Sequence, residues 1–469
     1  MKNKYLLILI LIVWTTSYGQ DPIELFGPSI FTESVGSIVG YDVCSLSPEK
    51  VVTAYDEGGS WDGKLKVGII QNDNSIEYGD AFTFTEVSLN RLEITAVSDN
   101  KFFITYKDNT GLYIRVGKVI NDNEIVLSDI YTLDSIQSYS FSLTAISDNT
   151  AIIAYHEYES GKGVCKVLRT NENLEITVGT TNFFTIGSLY NSATISIDAL
   201  SNSSFVIAHG YFSGYAIVGS IDQNDEISFG PSNLYNIEDS FYNTVVGLQE
   251  SKFAIVFQNE SNIKNGAIVI GTIDANNQIT YSNKYLFNSS QILQSSALKL
   301  TANEIVICYT KSDPVDGLAG HLIRAQIFTD NVTFSESMLL HDIAPVEFRT
   351  RLAELIDGKF IIQFVDKTAY NGYLSIGEAD QLLEINSLEN ELNYSIYVNP
   401  DNSQLVIETS QMDSSFDFEL FDINGRLMHK KGDNTDAIFS MDLSQFQSGV
   451  YLVRLVDGKH TITKRILLN

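Results

Sequence analysis

Carboxylates gather at one recurrent place in this chain, just past a short apolar strand: Tyr55-Asp56, Tyr106-Lys107-Asp108, Tyr155-His156-Glu157 and Phe364-Val365-Asp366. Brought together by a fold, Asp56, Asp108 and their counterparts would make an acidic rim able to hold calcium or a basic ligand. The simpler reading is a solvated edge. Large aromatics sit in the same stretches: Trp61, Tyr158, Tyr211, Phe212 and Tyr370. An exposed ring can lie flat against a sugar or a partner's apolar patch, and its alternative is packing against a neighbouring loop. These seven residues are the candidate ligand-binding set. His156 and His209 stand at strand ends with no obvious partner, so structural roles are expected for both.

Catalytic patterns are thin. No GxSxG, HExxH, GxGxxG or Walker pattern is present, and no CxxC or Cys/His spacing suggests zinc. Arginines are sparse, and only Arg349 and Arg351 are close in sequence, so no cluster for a substrate carboxylate is visible. Paired carboxylates for glycoside hydrolysis stay open, because their separation is not legible in a sequence. Binding is favoured over catalysis, and no cofactor or metal is assigned beyond the calcium alternative.

The elements that must position these residues form a repeat. An apolar strand recurs as Val51–Tyr55, Phe102–Tyr106, Ala151–Tyr155, Phe205–His209, Phe253–Phe257, Ile305–Tyr309 and Phe360–Phe364. Its last positions are spaced 51, 49, 54, 48, 52 and 55 residues apart. Each repeat reads as four short strands, here A to D, with strand B the apolar one. Four strands at this period predict an all-β fold, a seven-bladed β-propeller. Strand B is apolar throughout, as expected for a strand buried on both faces.

Turns such as Asn72-Asp73-Asn74 and Ser147-Asp148-Asn149-Thr150 recur between C and D and between A and B. Asn and Asp suit left-handed hairpin positions, so turn chemistry explains them better than calcium loops. Gly68, Gly117, Gly219, Gly271 and Gly377 recur near the end of strand C, with Lys166 and Ala325 as the two exceptions. Close packing is the expected reason for glycine there. The A–B and C–D turns share one face of the ring and are uniform. The B–C and D–A connections share the other face and vary, which is where binding usually resides. The stretch Asp56-Glu57-Gly58-Gly59-Ser60-Trp61 contains the D-x-G-x-x-W of an Asp box, but it occurs once and in a B–C loop, as a chance match.

The N-terminal segment Glu24-Leu25-Phe26-Gly27-Pro28-Ser29 echoes the D strand Glu226–Ser232. Residues around Glu24–Phe31 are therefore expected to complete the last blade and close the ring, removing open sheet edges. Upstream, Lys2, Lys4 and the apolar run Tyr5–Trp14 read as an export signal over 1–19, with cleavage between Gly19 and Gln20. No later apolar run is long enough to span a membrane. The net charge of −28, from 30 Lys+Arg and 58 Asp+Glu, argues against nucleic acid and anionic membrane partners. Cys44, Cys165 and Cys308 lie in apolar strands of three different repeats and are expected as free thiols.

The propeller is expected over 20–385, a polar linker over 386–392, and a small β-sandwich over 393–469 with strands near Gln404–Glu408, Phe416–Phe421, Ile438–Met441, Val450–Leu455 and Thr461–Leu467. Asn399-Pro400, Phe421-Asp422-Ile423-Asn424-Gly425-Arg426, Ser448-Gly449-Val450-Tyr451 and Lys464-Arg465 occur in order along this tail. In these motifs the tail resembles the type A C-terminal sorting domain of the type IX secretion system, departing from it at Val398, where members often carry proline. The resemblance covers about the last 75 residues. It implies that the secretion machinery is a partner, that the protein is released or attached at the outer surface, and that the tail is removed. The repeats resemble bacterial propeller repeats of uncharacterised role. Together these features predict an exported, non-catalytic binding protein for a glycan or protein. A propeller glycan hydrolase or lyase and a structural matrix component are the alternatives.

Overall fold

The computed structural model describes residues 23–379 apart from 36–39, 122–123, 136–139, 186–188, 190–192, 261–263, 314–316, 330, 342–349, 357 and 367–368. Beyond these it describes 394–399, 404–409, 416–422, 426–435, 438–446, 449–457 and 460–468. The chain divides into two compact units, Met1–Asp380 and Gln381–Asn469. The export signal, Gly19 and Gln20, and the linker 386–392 lie outside the described residues.

The first unit is a ring of seven antiparallel sheets. In blade 1, strands A to C are Tyr41–Ser47, Lys50–Asp56 and Gly63–Ile70, and strand D comes in two halves, Ile76–Tyr78 and Phe82–Thr85, both bonded to C. Blades 2 to 6 repeat this order, D broken at the same place each time. The inner strands of blades 2 to 7 are Arg91–Ala96, Phe141–Ser147, Thr194–Ser201, Ser240–Gln249, Ile292–Thr301 and Arg351–Glu354.

Each strand B is apolar along its length because each of its faces enters a different core. In blade 2, Phe102, Ile104 and Tyr106 pack with Val52, Leu65 and Phe84 of blade 1. Phe103 turns the other way and packs with Phe141, Ile153 and Tyr155 of blade 3. A core of this kind fills every interface around the ring, the last joining blade 7 to blade 1 through Phe31, Tyr41, Val51, Ile361 and Leu374.

The strand-C glycines are explained by what faces them. Phe102, Phe205, Phe253 and Phe360 are the cross-strand partners of Gly117, Gly219, Gly271 and Gly377. A Cβ at Gly117 or Gly219 would stand 2.2 Å from the covering ring. Blade 3 corrects the sequence register: Lys166 pairs with Ile153, and Leu168 is the residue opposite Ala151. There the large and small residues exchange strands, so the same volume is filled.

Strand D of blade 7 is Ile23–Thr32, which pairs with Gly372–Ala379 from Ile23↔Ala379 to Thr32↔Gly372. The N-terminus thus closes the ring as the echo of 226–232 predicted. Phe31 covers Gly372 as Phe84 covers Gly63 and Phe184 covers Gly163. Left-handed turn positions fall on Asn74, Asn149, Asp225 and Asn277. Cys44, Cys165 and Cys308 are free and buried. Burial pushes the Cys308 thiol up to about 12 and raises the other two.

The second unit is a sandwich of two sheets. One orders Tyr394–Asn399, Gln404–Thr409 and Ile438–Asp442; the other orders Leu427–Asn434, Phe416–Asp422, Gly449–Asp457 and His460–Leu468. Leu405, Ile407, Phe439 and Met441 of the first meet Phe416, Phe418, Leu420, Val453 and Leu455 of the second in one core. Among the described residues no helix is long and apolar enough to cross a membrane.

Candidate functional site

Two of the concave sites among the described residues of the propeller bear on function. The first is its central channel, about 750 Å³ in volume and walled by all seven inner strands. An innermost strand has one unpaired edge, and its backbone groups need partners. Polar side chains of the preceding blade supply them. Asp42 Oδ2 accepts from Ile94 N–H at 2.9 Å, and Glu93 Oε2 accepts from Leu143 N–H at 3.1 Å. Ser196 Oγ accepts from Val245 N–H at 3.0 Å, and Asp198 Oδ2 from Gly247 N–H at 2.7 Å. The hydroxyls of Ser296 and Thr350 stand 3.0 Å apart.

Two carboxyls of this wall, Asp42 and Asp198, hold their protons more tightly than usual. Desolvation, opposed by Arg351, raises Asp42 to about 6. Desolvation also raises Asp198 to about 6, against hydrogen bonds from Gly247, Ala199 and Thr144. A carboxyl raised on folding holds its proton more tightly in the native state than in the unfolded chain. Its stabilising contribution is therefore complete below the ordinary carboxylate range and lost as pH rises through about 6. Each group accounts for on the order of 2–3 kcal/mol between pH 4 and 7.5. Thermal midpoints should fall by several degrees from pH 5 to 7.5, with a shallower slope in Asp198→Asn; an unchanged slope in that variant would refute the assignment.

The second site is an aromatic groove of about 670 Å³ on the seam between blades 3 and 4. Phe183, Phe184, Tyr211, Phe212, Tyr215 and His209 are among its lining residues. Tyr211 and Phe212 meet edge to face with centroids 4.6 Å apart, and Phe212 and Phe183 are 52% and 46% exposed. His209 lies in the wall, stacked on Tyr215 at 5.8 Å; burial lowers it to about 4, so its imidazole is neutral at neutral pH.

Trp61, Tyr158 and Tyr370 are exposed on the B–C loops of blades 1, 3 and 7. These three loops share one turn. Glu57 N–H donates to Asp62 and Trp61 N–H to Glu57; Asp366 with Asn371 and Tyr370, and Glu157 with Lys162 and Gly161, repeat the pattern. The residue at its fifth loop position has positive φ: Gly161 at 67°, but Trp61 at 64° and Tyr370 at 57°. That backbone suits glycine, and a bulky residue there costs about 1 kcal/mol or more. Ser34 and Val35 join the loops of blades 1 and 7, accepting from Gly58 N–H at 3.1 Å and donating to Tyr370 O at 2.9 Å.

Of the acids expected at the rim, Asp56 and Asp108 are buried. Asp56 is fully buried against Gly40, where a Cβ would lie 2.9 Å from its carboxyl carbon. Asp108 caps its own loop, Oδ1 accepting from Thr110 N–H at 2.6 Å and Gly111 N–H at 2.9 Å. Among the described residues no group of three or more His, Cys, Asp or Glu is arranged to hold a metal ion. Sequence reasoning missed the channel altogether. Arg91 and Arg351 both reach Glu93, although neither has the other as a sequence neighbour. The only available signal was polar residues recurring on strands A.

In the tail, Asp422 and Tyr451 are cross-strand partners, and Asp422 Oδ1 accepts from Arg426 N–H at 2.9 Å. The Tyr451 ring packs 5.8 Å from Phe446. Asn399 ends the first strand, Gly449 opens the strand Gly449–Asp457 and pairs with Leu468, and Lys464 stands opposite Val453. Pro400 and Gly425 lie outside the described residues.

Comparison with known proteins agrees with both units. No curated protein matches the chain in sequence. A lectin from Burkholderia pseudomallei is similar in structure, at 9% identity and a TM-score of 0.51, over 75% of this chain and 97% of the lectin. The WD40 domain of Toxoplasma gondii coronin has 8% identity and a TM-score of 0.48, over 78% and 90% of the two chains. The lectin likeness carries the propeller fold and nothing further. Residues 395–469 match the family of secretion system C-terminal sorting domains. The chain is thus a β-propeller followed by a type IX sorting domain, which marks it for secretion or attachment at the outer surface.

Proposed function

We propose that the propeller binds an extracellular glycan without turning it over, through aromatic side chains on its B–C loop side. The mature binding unit in this reading is 20–385, freed of 1–19 by cleavage between Gly19 and Gln20 and carried out by the tail 393–469. The observation that supports it most is the groove of blades 3 and 4, where half-exposed Phe183, Phe212 and Tyr215 surround an apolar cavity. Sugar rings present apolar C–H faces that stack on such side chains. Trp61 and Tyr370 add two exposed rings held in a backbone better suited to glycine, a cost that presentation of those rings accounts for.

Retention on a panel of immobilised polysaccharides tests the reading. Phe212→Ala with Tyr215→Ala should weaken retention on the cognate polymer about tenfold or more, at about 1 kcal/mol per ring beyond area. Trp61→Gly should leave thermal stability unchanged or raised by about 1 kcal/mol while retention falls. Unchanged retention in both variants would refute the proposal. Turnover of a polysaccharide by the purified protein, lost in Glu93→Gln, would establish the hydrolase or lyase alternative in its place.

A further inference from the structure

The loop-side mouth of the channel holds two guanidinium groups that its architecture does not call for. Between blades 3 and 6 the inner strands are tied largely by hydroxyls: Ser140 and Ser142 accept from Ile195 and Ile197 N–H, and Thr244 donates to Ser295 O. Across blades 7, 1 and 2 the same task falls to ions, Arg351, Asp42, Glu93 and Arg91. Ions cost far more to desolvate than hydroxyls.

Their hydrogen bonding is incomplete on the donor side. Arg91 Nη2 binds Glu93 Oε1 at 2.6 Å, Nη1 reaches Ser140 Oγ at 3.5 Å, and the guanidinium lies 5.0 Å over the Phe141 ring. Its Nε donates to nothing. Arg351 Nε stands 3.5 Å from Asp42 Oδ1, and Nη2 stands 3.7 Å from Glu93 Oε1. Neither of these nitrogens makes a hydrogen bond. The facing carboxylates are already committed, Asp42 to Ile94 N–H and Glu93 to Leu143 N–H. Asp42 titrates near 6, so on its acid side two cations face one anion. Asp198 and Glu354 line the channel wall further along their strands, toward the A–B turns. At neutral pH the two guanidiniums balance Asp42 and Glu93, so what this cluster offers an anion is unused N–H donors rather than excess charge.

We infer that the loop-side mouth of the channel is a binding site for the carboxylate of a small ligand, held between Arg91 and Arg351. A guanidinium presents parallel N–H donors that match the two carboxylate oxygens. The channel's 750 Å³ accommodates a mono- or disaccharide, so an acidic sugar and a simple carboxylic acid share the chemistry. The inference does not depend on the aromatic groove, which is lined by the B–C loop and outer strands of blades 3 and 4 and not by the channel wall.

Titration calorimetry with glucuronate, galacturonate, glucose and acetate tests it on the wild type, Arg91→Gln, Arg351→Lys and Phe212→Ala. The uronates should bind to the wild type and to Phe212→Ala alike, with glucose silent in both. Each arginine variant should bind them about tenfold more weakly or worse, since lysine lacks the fork. Acetate binding as well as the uronates would support the site and identify the carboxylate alone as the ligand. Should Arg351→Lys fail to melt cooperatively, Arg91→Gln carries the test, because Glu93 keeps Arg351 beside it. Silence of every carboxylate, or binding unaffected by both arginine replacements, would overturn the inference. Loss in Phe212→Ala alone would assign binding to the groove and overturn it equally.

Discussion

Deleting residues 23–32 should abolish cooperative folding of the propeller, or lower its thermal midpoint by well over ten degrees, as read by circular dichroism. This strand is the whole outer layer of blade 7. Without it, strand Gly372–Ala379 becomes an open edge, which is an invitation to aggregation. Ile23 and Phe31, 6% and 1% exposed, leave two different interface cores. Contacts to blade 1 go too: Lys66 Nζ donates to Phe31 O at 2.7 Å, and the Tyr78 hydroxyl donates to Ser29 O at 3.4 Å. A milder companion separates side chain from strand. Phe31→Ala keeps the backbone pairing but empties the cover of Gly372, at a cost of roughly 3–4 kcal/mol. A truncated protein that melts within a few degrees of the full chain would refute ring closure as the source of stability.

The second large effect is on export. A chain ending at Leu388 should fold, since each blade interface of the propeller has its own core drawn from Ile23–Ala379. In a host with the type IX machine it should nevertheless stay in the periplasm, with the exported amount falling to near background. Immunoblots of periplasm and culture medium would measure this, with thermal melting of the purified chain as a check on folding. Normal amounts outside the cell would refute a sorting role for 395–469, the segment that matches the sorting-domain family. Misfolding of the truncated chain would instead refute the independence of its core.

Much of this architecture was legible because it is local and repeated. Phe102–Tyr106 and its six counterparts announce a strand buried on both faces, and their period counts the blades. The first and the edge strand of the sandwich were harder. Leu427–Asn434 carries Lys430, Lys431, Gly432 and Asp433, so no apolar alternation marks it. Among the described residues it pairs on one side only, with Phe416–Asp422, and its lysines suit an edge that must not recruit another strand. Strand D looked continuous in sequence, but a break such as Gly230–Ser232 divides it into halves that bond the same strand C.

The site was less legible. Tyr211 and Phe212 lie together because they are sequence neighbours, and Trp61 and Tyr370 occupy corresponding turns because their loops share one pattern of hydrogen bonds. Asp56 looked like their companion and is buried instead, because Gly40 leaves room for its carboxyl beneath the loop.

What the sequence by itself determined is the repeat, the closing N-terminal strand and the sorting tail, because each depends on patterning that a short window contains. Only the tertiary structure decided the channel. The polar residues that recur on strands A, such as Asp42, Arg91 and Arg351, do not show in sequence which of them meet, and they come from blades 1, 2 and 7, the two arginines 260 positions apart. Closing the ring leaves seven inner strand edges that water must not be left to satisfy alone, so polar side chains turn inward to meet them. That requirement arises only once the ring is closed, and it brings two arginines from opposite ends of the chain to the same carboxylate.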